Sequence, residues 1–122
     1  MSSFTVPNTA KVGAVSYADP YFSYMEGLAQ ATYESPAAEL TIRKSATREG
    51  IDLTGDYNEY PYEWTQNIKG LEVTCHGNEK GSAILVEWAF NDANYCLLSL
   101  GLGGEDLAMT ADEVTTIVSG VF

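Results

Sequence analysis

The sequence predicts an α+β domain: an antiparallel sheet of about six strands with one C-terminal helix packed on it. Three observations predict it. Apolar and polar residues alternate over short runs through most of the chain. Gly, Pro, Asn and Asp punctuate those runs at close intervals. Near the end, the apolar period changes from two to that of a helix, behind a capping signal.

Residues 11–18 read as the first strand, with Val12, Ala14 and Ser16 facing opposite to Val15 and Tyr17. Asp19-Pro20 is a turn signal, because the residue before proline avoids the helical region. Residues 22–33 alternate as one long strand. Phe22, Tyr24, Glu26, Leu28, Gln30 and Thr32 fall on one face of it. A helix is the rival reading there, since Met25 to Ala31 includes good helix formers. Gly27 and the aromatic ends favour the strand. Ser35-Pro36 closes this run, and 39–46 forms the next strand, with Arg43 and Lys44 near its end.

Residues 49–62 are rich in Gly, Asp, Asn and Pro, and read as a loop with at least one tight turn. Its tyrosines are expected to cover one edge of the sheet. Beyond it, 63–68 and 71–75 read as strands, and 77–81 as a hairpin loop. The strand 82–90 places Ile84, Val86, Trp88 and Phe90 on one face. A turn at 91–94 leads to the strand 95–100, completing a meander. Thr110 and Glu113 form a capping box, with Met109 and Val114 placed as the hydrophobic staple. Val114, Ile117, Val118 and Val121 recur at helical spacing as a single apolar stripe.

At 122 residues, 45% of them hydrophobic, residues 1–122 read as a single domain that can bury a core without metals or disulfides. No repeat, linker or low-complexity segment interrupts it. Seventeen acids against six Lys and Arg give a net charge of −11. That field repels phosphate backbones and anionic membrane surfaces, so nucleic acid is not an expected partner. It also favours a soluble monomer. No apolar run is long enough to span a membrane as a helix. The N-terminus carries neither a basic nor an apolar leader segment. The location expected from the sequence as written is therefore cytoplasmic, or extracytoplasmic if a native leader is missing.

Two cysteines, Cys75 and Cys96, sit outside any Cys-x-x-Cys pair, and there is one histidine. That supports no zinc site and no metal or other cofactor. Pairing Phe90 with Tyr95 puts Cys96 beside Ala89, and closing the first hairpin at Glu79 puts Cys75 beside Ala83. The cysteines are then too far apart for a disulfide and read as small buried hydrophobes. His76 follows Cys75 on a strand, so the two point to opposite faces and form no catalytic dyad. His76 reads as a surface residue.

Asp52, Thr54, Asp56 and Asn58 place oxygen at every second position, a weak echo of a calcium loop. Gly55 stands before Asp56 instead of after it, so a conformational role for the turn is favoured. Carboxylate pairs for acid–base chemistry could be drawn from Asp52, Asp56, Glu59 and Glu63. No nucleophile elbow or phosphate-binding glycine loop accompanies them. No catalytic residue is assigned, and the sequence does not read as an enzyme.

Leu40 to Lys44, Ile51 to Tyr60, Gly70 to Gly77, Ile84 to Trp88 and Tyr95 to Ser99 together resemble a bacterial domain family of unknown function, common in Gram-positive gut bacteria. The Gly55-Asp56-Tyr57-Asn58-Glu59-Tyr60 core carries most of that resemblance, and Phe4 to Pro7 is similar to the family's opening motif. The resemblance implies a curved antiparallel sheet with one packed helix, similar to a lipoprotein-carrier half-barrel, and no catalytic residues. The resemblance also implies a lipoprotein or extracytoplasmic setting, whereas the sequence as written shows no secretion signal.

The functional expectation is a non-catalytic binding or regulatory module. Tyr57, Tyr60, Tyr62 and Trp64 cluster near the sheet edge, where rings supply large contact area to a protein, a peptide or an apolar small molecule. The alternatives are a small hydrolase using the carboxylates between Asp52 and Glu63, or an interaction domain that uses an exposed sheet edge.

Overall fold

A computed structural model describes residues 6–13, 15–25, 28–36, 38–45, 61–90, 93–101 and 108–121. Thr9–Val12 (β1) and Val15–Ala18 (β2) form a two-stranded antiparallel ribbon. Tyr21–Met25 (β3), Leu28–Ser35 (β4), Ala38–Ser45 (β5), Tyr62–Ile68 (β6), Leu71–Gly77 (β7), Leu85–Phe90 (β8) and Ala93–Gly101 (β9) form an open seven-stranded sheet. Its order is β3-β4-β5-β9-β8-β7-β6, antiparallel throughout. Two meanders, β3–β5 and β6–β9, therefore meet at the β5–β9 pair in the middle. The helix α1, Ala111–Ser119, lies against β6 and β1.

The antiparallel sheet and C-terminal helix are as the sequence predicts. The strand count is larger than about six, because two runs read as single strands are hairpins. Residues 11–18 fold back at Gly13, whose φ of +58° suits glycine. Val12 then pairs with Val15, so Val12 and Tyr17 share the buried face instead of opposing it. Residues 22–33 divide likewise, with Met25 opposite Leu28. A two-residue connection pairs even with odd positions, so the inward parity flips. Phe22 and Tyr24 share a face with Ala29, Ala31 and Tyr33, not with Leu28, Gln30 and Thr32.

One row of cross-strand neighbours shows how the core is built. Phe22, Ala31, Ile42, Leu97, Val86, Cys75 and Trp64 are successive partners across all seven strands. The five inner members are at most 1% exposed. The stripe Val114, Ile117, Val118 and Val121 joins this core together with Val12, Tyr17 and Met109. Ile84, Leu85, Cys96 and Leu98 make a second, smaller cluster. Ile84 therefore parts from Val86 and Trp88: it precedes β8, donating its N–H to the His76 carbonyl.

The capping box is formed. Thr110 Oγ1 accepts the Glu113 N–H at 3.2 Å, and Glu113 Oε1 accepts the Thr110 N–H at 2.9 Å. The other oxygen of Glu113 accepts the Gly13 N–H at 2.7 Å. One carboxylate thus holds both the helix N-terminus and the β1–β2 turn. Gln66 secures the helix to β6, donating to the Ala111 carbonyl at 3.0 Å and to Thr115 Oγ1 at 2.6 Å.

Cys75 and Cys96 are both free and buried. The predicted registers are shifted: Cys75 lies opposite Val86, not Ala83, and Cys96 opposite Glu87, not Ala89. Since Val86 pairs with Leu97, the cysteines are two strands apart and one position out of step. Two strand spacings, about 10 Å, and opposite faces keep them from pairing, not a long offset along the strands. Burial pushes the Cys75 thiol up to about 11, away from the thiolate that reactivity needs.

Candidate functional site

The two ends of the cross-strand row sit on the two edges of the sheet, and they differ. On β6, Tyr62 and Trp64 share a face, as expected of alternate strand positions. Trp64 is half-buried and packs on the core, leaving Tyr62 as the open ring at 46% exposure. Tyr57 and Tyr60, the other two rings of the predicted cluster, lie outside the described residues, as does the loop from Asp52 to Glu59.

On β3, Tyr21, Phe22 and Tyr24 are 49%, 44% and 65% exposed. Ser23 between them is exposed as well. Phe22 and Tyr24 lie on the face that elsewhere forms the core, their rings 6.5 Å apart and 13° from parallel. Tyr21 points to the other face. The segment Tyr-Phe-Ser-Tyr-Met carries no charge and no proline, the usual devices that discourage strand pairing at an edge. Every second residue of an edge strand also directs its N–H and C=O outward. Reading 22–33 as one strand hid this surface. Gly27 was the available signal, since an isolated glycine in a strand pattern marks a bulge or bend.

The histidine is less exposed than expected. Its side chain is 18% exposed and lies between two carboxylates: Nε2 is 2.8 Å from Glu87 Oε2, and Nδ1 is 3.5 Å from Glu63 Oε1. Glu63 is the cross-strand partner of His76 on β6, while Glu87 comes from β8. The imidazole thus ties three strands together through both nitrogens. With the carboxylates on opposite sides of the ring, the three groups do not converge on one ion. Among the described residues, no group of three His, Cys, Asp or Glu side chains is placed to hold a metal. Of the carboxylates considered for acid–base chemistry, Glu63 is the one described, and its neighbour is this histidine.

Two further features lie away from the sheet edges. A wide-mouthed cleft of about 460 Å³ lies between the β1–β2 ribbon and α1, lined by Thr9, Lys11, Ser16, Tyr17 and Thr116. Lys11 is the one charged group on its wall, and no convergent set of polar atoms accompanies it. The Tyr17 hydroxyl and the Trp88 indole N–H are buried with no hydrogen-bond partner among the described residues. Trp88 stacks on Tyr95 at 5.2 Å, and the Lys44 ammonium lies 5.6 Å from the Tyr95 ring centroid. These groups are part of the packed interior.

No helix of the described residues is long and apolar enough to cross a membrane. No family model matches the chain, and neither a curated protein nor a solved structure matches it.

Proposed function

We propose that this domain is a non-catalytic binding module that takes up an extended peptide along β3. The observation that carries the reading is the unbroken exposure of Tyr21, Phe22, Ser23 and Tyr24 on an uncharged edge strand. Peptides that add a strand to a sheet use the main-chain groups of the edge for affinity and alternate side chains for specificity. β3 offers both. Its outward main-chain groups are a template, and the Phe22–Tyr24 pair is an apolar step on one face. Rings of this kind supply contact area with little rotamer entropy to lose. Tyr62, exposed on β6, is a second open ring at the opposite edge, and Tyr57 and Tyr60 remain candidates from the sequence alone. Membership of the bacterial family that the sequence resembles belongs to this proposal and adds no activity to it.

Selection of random octapeptides on the folded domain tests the reading. The expected winners alternate apolar and polar residues. They lose at least ten-fold in affinity on the variant Phe22→Ser/Tyr24→Ser, and lose binding when alternate peptide nitrogens are methylated. Winners whose affinity survives both changes would contradict it.

A further inference from the structure

The charges around β3 say which peptide fits. Glu34 on β4 and Glu39 on β5 are direct cross-strand partners, so two like charges oppose each other. Both lie just past the N-terminal end of β3, since Tyr21 pairs with Thr32, two residues before Glu34. Asp19, exposed and held at a φ of +51°, precedes β3 at that same end. Among the described residues, none of these three carboxylates makes an ion pair. At the other end of β3 the sign changes. Arg43 lies in the row of Ser23 and Gln30, its Nε donating to Gln30 Oε1 at 2.8 Å, and Lys44 lies in the row of Tyr24 and Ala29. Both cations are held within the sheet, Lys44 at 4% exposure over the Tyr95 ring and Arg43 on Gln30, so the exposed charge beside this edge is the acidic group at the Tyr21 end.

Resting on the reading above, we infer that the occupant of β3 is an extended segment of another protein that is basic at one end and apolar at the other. Its Lys or Arg side chains lie beside Tyr21, and its apolar residues lie over Phe22 and Tyr24. A strand added to β3 stands about 10 Å from β4, two strand spacings away. A lysine or arginine side chain on it bridges most of that gap towards Glu34. The field at that distance is within about one screening length at moderate salt. An incoming cation also relieves the standing Glu34–Glu39 repulsion, against which the described residues supply one long hydrogen bond, from the Thr41 hydroxyl to Glu39 at 3.4 Å, and no ion pair. A second copy of this chain is the poorer fit. Both copies would carry a net charge of −11, and antiparallel two-fold pairing of β3 with β3 would leave the Arg43 and Lys44 of each copy on β5, four strand spacings or about 19 Å from the other copy's Glu34.

Three capped octapeptides test the inference: Lys-Val-Lys-Val-Thr-Val-Thr-Val, and the same peptide with Gln or with Glu in place of both lysines. Titration against the whole domain at 50 and 300 mM salt reads their affinities. The lysine peptide is expected to bind at least ten-fold more tightly than the glutamine peptide at low salt. That preference should shrink at high salt and largely vanish on Glu34→Gln/Glu39→Gln. The glutamate peptide is expected to be the weakest. If the lysine and glutamine peptides bind β3 equally, the charge inference falls while peptide binding at β3 stands. If none of the three binds and the domain instead dimerises in a way that Tyr24→Arg abolishes, both readings fall in favour of a second copy.

Discussion

Phe22 and Trp64 are the two ends of one row of side chains, yet they do different work. Trp64 closes the core on its side: it packs on the buried cluster, and Gln66 two residues on fastens the same strand to α1. Glu63 fastens β6 again through His76. Phe22, at the other end of the row, is 44% exposed. It stands with Tyr21 and Tyr24 on a strand whose outer edge carries no charge, no proline and no covering element among the described residues. An edge anchored by side chains on both faces serves the fold. An edge with large rings left in water is more naturally explained by what comes to cover it.

Substitution should separate the two ends. Trp64→Ala removes a large ring packed on the core and is expected to cost about 3 kcal/mol, read from urea midpoints. Phe22→Ala, at the exposed end of the same row, should cost about 1 kcal/mol or less. Equal costs would mean that both edges belong to the core.

Alkali should weaken the fold in two steps, one on each side of the sheet. Cys75, on the β6 side, has its thiol raised by burial from 9.0 to about 11. Tyr33, on the β3 side, has its phenol raised by burial from 10.0 to about 12. Burial, and then the charge of Glu39, raise Tyr17 as well. In each case the unfolded chain loses the proton first. The stabilising contribution is therefore complete below the unfolded value and is lost as pH rises through the folded one. Two pH units correspond to about 2–3 kcal/mol for the thiol, lost between about pH 9 and 11. Denaturation midpoints from pH 8 to 12 should show this decline, and Cys75→Ala should remove its lower half.

Glu113→Ala breaks the capping box and releases the Gly13 turn together, and is expected to cost about 1–2 kcal/mol. Amide exchange should then rise at both the start of α1 and the β1–β2 turn; a rise at the helix alone would show that the carboxylate does not couple them. The smallest effect belongs to Tyr24→Ser. At 65% exposure the ring should contribute within about 0.5 kcal/mol to stability, while peptide affinity drops at least ten-fold.

The legibility of these regions differed for a physical reason. The meander β6–β9 and the helix were readable because strong local signals bound them: Asn and Asp at the β8–β9 turn, Gly at the β7 end, and the capping box before α1. The ribbon and the β3–β4 hairpin were not. Gly13-Ala14 and Glu26-Gly27 lack the Asn-Gly or Asp-Gly signature of a tight turn. Alternation also continues on both sides of such a turn, with only its parity reversed, so one long strand and a hairpin look alike. That same reversal conceals the exposed edge, since the rings of β3 read as one end of a longer strand and not as an edge strand of their own. Register was lost in a related way. The β8–β9 hairpin closes tighter than 91–94 suggested, with Phe90 opposite Ala93, which moved Cys96 by two positions.

The most direct test of the claim that the two edges serve different ends is a map of backbone amide shifts as the lysine-containing octapeptide is added to the labelled domain. The account predicts saturable shifts along Tyr21–Met25 and its partner strand β4, with β6 unmoved. Shifts centred on Tyr62 and Trp64, with β3 unmoved, would contradict it.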